Sequence, residues 1–524
     1  MTGSLRADAS PESIAHALLL FRLFFITLTM TSIGLVALVI WDGVYPDRRD
    51  ARILTPLPVP GRTLIGARLL ALSALCGIFV VGINAVPSLL YAPTITHFGG
   101  AANQVRGLLA FAIANGLAGT FVFSALVTLQ GIALNVGGKR ATDRLSVAMQ
   151  ILFIAALLQL IFLMPRVATM LPTDLASGAA RAMPSVWFLG LYDLIGGRPA
   201  AGAPFLATIA LAATATTVGG SILLFVMTHA RLTKRALEGK EGSSGERRLL
   251  SLNRGGDFFA SPTTRAVFLF TLQSLSRSRS HRLLVAMYVG GATALVVSGL
   301  LPVIVRDGLS GFTKPGLELL SAPLVMAFWT LIGLRVAMSI PIEPKANWVF
   351  RLGEPSDRMA ALNGMRGAML VVGVLPASLF ASVTAIALWG LWAAVAHTAI
   401  CSMMGWALVE ALMIGVRKMP FTCTYFPGNS RVGTLWPFYL TAFITYAYTT
   451  AAWEATFLYR PVNVLIFLAI LAGVIMFLTI HRRFQLQPLT GLRFQEEDPT
   501  ALFKGFDLSE GFAARAVRKA PQVD

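Results

Sequence analysis

The sequence predicts an all-α, polytopic membrane protein, and three observations carry that expectation. Of its 524 residues, 56% are hydrophobic and only 13% charged, with a mean hydropathy of +0.70, a balance outside that of soluble globular domains. Apolar runs of about 20 residues, the length that crosses a hydrocarbon core roughly 30 Å thick, recur along the whole chain. These runs are unbroken, as in LLVAMYVGGATALVVSGLL at 283–301, whereas a β-barrel would alternate apolar and polar residues in short segments.

Eleven spans are expected, at 18–41, 69–92, 107–135, 146–172, 204–230, 283–305, 320–341, 368–395, 398–416, 434–458 and 461–480. The net charge of +18 raises the question of nucleic acid in a soluble protein, but in a membrane protein the cations belong first to the cytoplasmic loops. With the 41–68 loop placed inside and sides alternating from there, the inner segments hold 34 of the 43 Lys and Arg. The count and the orientation support each other, no nucleic-acid partner is implied, and the carboxyl terminus falls in the cytoplasm. The first apolar stretch lacks a small-residue cleavage site before Trp41 and runs into arginines, so it is expected to be an anchor. Cys76, Cys401 and Cys423 are too dispersed for a disulfide framework or a zinc site.

The chain reads as two similar halves: a first transmembrane half at 1–230, a cytosolic linker at 231–260, a second transmembrane half at 261–480 and a cytosolic tail at 481–524. Superposing the charged loops at 42–68 and 343–366 pairs the first span with the seventh and leaves the sixth without a counterpart. Both loops carry a Pro closely followed by Arg, Pro60 with Arg62 and Pro355 with Arg358, and a second Arg further on, Arg68 and Arg366. Eleven is one short of two six-span units, so Met1 is expected downstream of a natural start, or one helix lost. Before the sixth span, Ser261 and Pro262 can begin a helix that puts Phe268, Leu272 and Leu275 on one face and ends in Arg277, Arg279 and Arg282. It reads as an interfacial helix on the inner leaflet or, equally, as a cytosolic start to the sixth span.

The loop WDGVYPDRRDARILTPLPVPGRTLIGAR at 41–68 interleaves three aspartates with five arginines and carries four prolines. Pro46 can open a short helix, Thr55-Pro56 stops it, and PLPVPG stiffens the return. A topogenic loop would account for the arginines alone. A rigid, mixed-charge protrusion suits docking of another protein.

DRRDARILTPLPVPGRTLIGARLLAL resembles the first cytosolic loop of ABC-2 type permeases, the membrane subunits of one class of ATP-binding-cassette exporter. The resemblance implies six-span units that begin with an amphipathic connecting helix, a charged coupling helix after the second span, and an outer helical segment before the last. It implies that Asp47, Arg48, Arg49, Asp50, Pro56, Pro58 and Arg62 belong to the first ATPase-docking element. Trp348, Arg351, Glu354, Pro355 and Arg358 would belong to the second. MPSVWFLGLYDLIGG at 183–197 is similar to the family's outer re-entrant segment, with Trp187, Phe188 and Tyr192 as its candidates; an interfacial aromatic belt is the other reading of these three. The partners implied are a separate ABC ATPase subunit and the lipid bilayer, in a bacterial cytoplasmic membrane. One chain would form the whole pathway if the halves duplicate one unit, and otherwise a homodimer would.

No G-x-x-x-x-G-K-[ST] occurs, and NVGGKRAT lacks both the glycine spacing and the hydroxyl after Lys139, so ATP would be bound by another chain. No H-E-x-x-H, serine elbow or paired-carboxylate site stands out, and neither an enzyme activity, a metal nor a cofactor is expected. Charges inside spans are functional candidates by default. Glu410 is the deepest acid and is expected to pair inside the bundle. Arg335, near the inner end of the seventh span, is expected to snorkel, as are Arg22 and Arg166 at outer ends. His397 is expected near an outer turn and Glu454 close to an outer boundary, facing water. The leading expectation is thus an export permease moved through loops 42–68 and 343–366. A secondary active transporter is the alternative, and a lipid-directed membrane enzyme a third class.

Overall fold

The computed structural model describes residues 11–45, 53, 58–95, 101–136, 138–170, 182–197, 201–237, 261–342, 358–416, 419–422 and 432–486. Among them no strand occurs, and the chain is all-α. The first half comprises α1 (Pro11–Val39), α2 (Trp41–Val44), α3 (Gly61–Ile95), α4 (Ala101–Val136), α5 (Gly138–Met170), α6 (Pro184–Gly196) and α7 (Ala203–Leu237). The second comprises α8 (Pro262–Arg277), α9 (Arg279–Asp307), α10 (Leu317–Ala337), α11 (Arg358–Met369), α12 (Leu375–Trp389), α13 (Leu391–Leu412), α14 (Val432–Ile444), α15 (Thr450–Phe457) and α16 (Pro461–Leu486). A π turn at Leu370–Val374 joins α11 to α12, and another at Thr445–Thr449 joins α14 to α15.

Among the described residues, ten helices are long and apolar enough to cross a membrane. They coincide with ten of the eleven expected spans. The expected span at 434–458 stands apart, because its helix bulges at TYAYT and is rich in threonine and tyrosine. The division between the eighth and ninth spans also differs from expectation. It falls at Gly390, whose φ of 86° only glycine adopts without strain, and not at 396–397. This shift puts His397 in the second turn of α13 instead of in a loop.

The helices run from end to end. α5 and α9 pack in parallel, with Ile154 against Gly290 and Gln159 bonded to Ser298 (Nε2 to Oγ 3.2 Å). At the start of α9, His281 Nε2 lies 2.9 Å from the carbonyl of Ile340, just beyond the end of α10. The start of α9, the end of α10 and the end of α16 therefore share one end of the bundle with the end of α2 and the starts of α3 and α11, here called the loop end. The turn after α6 and the turn at Gly390 lie at the opposite end.

Packing neighbours recur in the two halves. α1 packs on α4 and α5, α3 on α4, and α4 on α7; likewise α10 packs on α13 and the α14–α15 run, α12 on α13, and α13 on α16. α9, the span without a counterpart, joins the halves. A Cβ on Gly290 would stand 2.6 Å from Ile154 Cγ2 and 3.1 Å from the Ile151 carbonyl, so only glycine permits this approach. Lipid tails are as apolar as side chains, and association inside a bilayer rests on such close packing and on buried hydrogen bonds. The first half supplies these bonds through Thr29 Oγ1, 3.0 Å from Asn84 Oδ1 and 3.2 Å from Asn115 Oδ1, and through Ser124 to Thr217 at 2.9 Å.

α8 forms as expected, with Pro262 in its first turn, although Ser261 makes no side-chain cap bond. Phe268 and Leu275 are buried, and this face lies on α11. Thr264 Oγ1 donates to the Ala360 carbonyl at 2.9 Å.

Candidate functional site

The site assembles at the loop end of the second half. α11 begins at Arg358, inside the expected second docking loop at 343–366, whose last nine residues are therefore helical. Met359, Asn363 and Arg366 follow at intervals of four and three and share one face of the helix. That face meets the end of α16. Arg482 Nη2 donates to Asn363 Oδ1 at 3.3 Å, and Nη1 lies 3.8 Å from Met359 Sδ. Arg482 Nε donates to Glu410 Oε2 at 3.1 Å, while Arg366 Nε lies 2.5 Å from Glu410 Oε1. The Arg366 guanidinium also stands 5.3 Å over the Trp406 ring, whose Nε1 donates to Glu410 Oε1 at 3.2 Å.

Glu410 is fully enclosed. A carboxylate so placed requires cationic partners, because its desolvation is not otherwise offset. It has two, from α11 and α16, and the three helices α11, α13 and α16 are locked at one point. Of the two, Arg482 is itself 2% exposed. It lies beyond the 461–480 boundary expected from hydropathy, because α16 continues to Leu486. Only the helical period, which buries Arg482 and exposes its neighbour Arg483, distinguishes the two.

Arg335 does not snorkel. It is largely enclosed, and its Nε donates to the carbonyl of Leu412, the last residue of α13, at 3.2 Å, where a cation satisfies an otherwise unbonded helix-end carbonyl.

In the first half the loop is pinned at its base. Arg68 Nη2 donates to the carbonyls of Gly43 at 2.7 Å and Tyr45 at 3.2 Å. Tyr45 Oη donates to the Val127 carbonyl at 3.3 Å and its ring stacks on Phe225 at 5.5 Å. Gln130 Nε2 donates to the Trp41 carbonyl at 2.6 Å. Pro58, Pro60 and Arg62 are exposed, as are the apolar Ile53 and Val59. Thus Arg68 and Arg366, matched between the loops by sequence, both act as anchors: one bonds backbone, the other pairs with Glu410. Asp47, Arg48, Arg49, Asp50, Pro56, Trp348, Arg351, Glu354 and Pro355 lie outside the described residues, as does the Arg358 side chain.

At the opposite end, α6 is wedged among α1, α4 and α7. Phe188 is fully buried and Tyr192 is 4% exposed, which overturns the aromatic-belt reading of these two. Trp187 is partly buried and meets Phe121 at 6.0 Å. Met183 is also buried, and the helix ends at Gly197 with φ 80°. Arg106 Nε donates to the Ile195 carbonyl at 2.6 Å, closing the helix end.

Arg22, expected to snorkel, instead pairs with Asp193 at 3.2 Å and lies 4.6 Å over the Tyr192 ring. Burial pushes the Asp193 carboxyl up to about 6 against the opposing pull of Arg22. Its folded value exceeds the ordinary one, so its contribution to stability is complete below about pH 4 and is lost as pH rises through about 6. The protein in detergent should therefore be harder to unfold thermally at pH 4 than at pH 7, by up to about 2–3 kcal/mol from this group. Asp193→Asn should remove that part of the slope, and an unchanged profile would mean that Asp193 does not carry it.

A second buried ionisable pair was not anticipated. Glu454 is fully enclosed, not water-facing, because α15 packs on α10 and α16, and its Oε1 lies 2.7 Å from Nδ1 of the equally enclosed His397 on α13. The sequence signal was Gly390, which moves the turn and draws His397 inward.

No family model, no curated protein and no solved structure matches the chain. Fold and site define the class: an integral, all-α polytopic membrane protein.

Proposed function

We propose that the chain is a transport permease of the ABC-2 type, an exporter subunit of a bacterial cytoplasmic membrane. Its loop end and carboxyl terminus face the cytoplasm. A separate ATPase grips loops 42–68 and 343–366, and nucleotide-driven closure of that partner pulls on the bundle.

The observation that carries this reading is the grip of α11 on Glu410 and Arg482. A pull on the second loop reaches α11 within one helix turn, and the ion pairs hand it to α13 and α16. The recurrent packing of the two halves supports a single chain carrying both units of one pathway.

Co-expression of the tagged chain with candidate ATPase subunits, followed by pull-down, tests the proposal. Reversing Arg48, Arg49, Arg52 and Arg62 to Glu should lower recovery of the ATPase roughly tenfold or more, since opposed charges at a docking rim become like charges. Undiminished recovery would rule out docking at the first loop. One observation favours a second reading, a secondary active transporter: the His397–Glu454 pair gives it an ionisable site inside the bundle. Substrate movement by the purified chain alone, driven by an ion gradient, would select it.

A further inference from the structure

Four titratable side chains meet inside the second half, away from the loop end. His397 and Cys401 come from successive turns of α13, Tyr446 from the π turn at Thr445–Thr449, and Glu454 from α15. His397 Nδ1 lies 2.7 Å from Glu454 Oε1, and Cys401 Sγ lies 3.8 Å from both ring nitrogens. His397 and Glu454 are both 0% exposed. Glu454 Oε2 and Tyr446 Oη are also enclosed, and neither has a hydrogen-bond partner. The edge of Trp389, at 5.9 Å, closes one side of the imidazole.

Trp389 also packs on an apolar cluster formed by Leu320 from α10, Ala393 and Ala396 from α13, Ala451 and Leu458, and Val464 from α16. The buried charges on the adjoining elements, Arg335 of α10, Glu410 of α13 and Arg482 of α16, are engaged with one another's helices at the loop end. Glu318 lies in the exposed first turn of α10, and Arg460 in the exposed turn before α16.

With the imidazole neutral and the carboxylate ionised, the enclosed pair would carry an unbalanced negative charge, which an apolar chamber strongly opposes. One added proton removes it, whether the proton rests on nitrogen or on oxygen. In water the carboxylate ionises well below neutrality and an imidazole loses its proton near pH 6.5. A wetted pair near neutral pH therefore holds fewer protons than an enclosed one.

We propose that His397 and Glu454 form a proton-binding site that takes up one proton from water as the bundle closes over them and returns it when they are wetted. Only an N–H or O–H bond forms and breaks. The π turn that brings Tyr446 alongside is the adjustable element, since its Thr445 carbonyl accepts a long 3.4 Å bond from Thr450 Oγ1 and π bulges mark places where helices are re-aimed. The site goes beyond the permease reading, and it stands whether an ATPase or a gradient moves the chain.

Hydrogen exchange of the full chain in lipid nanodiscs, followed from about pH 5 to 8 across the range where histidine titrates, tests it. After correction for the chemical exchange rate, opening of segments 391–405 and 446–457 should rise with pH, approaching about tenfold per unit above the midpoint of the pair. Glu454→Gln leaves no acid to neutralise, so its opening should be flat or fall as pH rises. His281→Gln, which alters a buried histidine elsewhere, should keep the slope of the unaltered protein. The proposal is overturned by pH-independent opening in the unaltered chain, a result that needs no variant to fold. An undiminished slope in Glu454→Gln also overturns it.

Discussion

Glu410→Ala is expected to destabilise the second half by about 3–5 kcal/mol, because it leaves two guanidiniums at a largely enclosed site without their carboxylate. Arg482 is the more affected, since it is 2% exposed and its further polar contacts among the described residues are Asn363 Oδ1 and the Met359 sulfur. Its stem cannot swing to water without lifting the end of α16 from α11. Glu410→Gln keeps the shape and one acceptor and should cost less. Replacing Glu410, Arg366 and Arg482 together by apolar residues of similar volume should restore most of the loss, because the desolvation of all three charges then disappears. Thermal unfolding in detergent would rank the variants. Hydrogen exchange in α11 and α16 would show whether both loosen together. Melting of Glu410→Ala at the temperature of the unaltered protein would show that the ion pairs do not lock the three helices. The permease reading adds an expectation: Glu410→Ala should still bind the ATPase through its loops yet lose transport, because the pull stops at α11.

Gly364→Ala is expected to cost about 1–3 kcal/mol, the range for overpacking a filled contact. A Cβ there would stand 2.5 Å from the Thr264 carbonyl and 2.9 Å from the Phe268 amide nitrogen. These are backbone atoms of α8 and cannot rotate away. α8 must therefore move off α11, breaking the bond from Thr264 to the Ala360 carbonyl and uncovering Phe268. Increased hydrogen exchange confined to 262–277 would be the signature. Unaltered protection there would show that α8 is held by other contacts. The position matters mechanically because Gly364 lies between Asn363 and Arg366: one face of α11 grips the spans while another seats the amphipathic helix.

Much of the fold was legible because membrane burial writes itself into composition. Ten spans could be placed from apolar length alone, and the start of α8 could be placed from Pro262. The span at 434–458 reads less clearly because Tyr446, Tyr448 and several threonines serve an interior contact instead of lipid. The candidate site was legible in part. Glu410 announced itself as an acid within an apolar run, and Arg366 as the loop residue matched to Arg68. Arg482 was hidden in HRR, where charge alone says only that the span has ended. His397 was misplaced because one glycine set the turn seven residues before it, and hydropathy does not see a φ of 86°; Glu454 was expected to face water because hydropathy does not show which neighbouring helices enclose a side chain.

The sequence by itself determined that this chain is a helical bundle for a bilayer, since every backbone polar group in lipid must be bonded within its own segment and the apolar lengths decide where such segments fall. It also determined which side chains were too costly to leave unpaired. Which groups would pair them was decided only by the tertiary structure. Glu410 with Arg366 and Arg482, Asp193 with Arg22, and Glu454 with His397 join residues 44 to 171 positions apart. Such pairs depend on the rotation of each helix about its axis, which is fixed by close contacts such as Gly290 on Ile154 and Gly364 on α8 and not by hydrophobicity, because lipid accepts an apolar face in any direction.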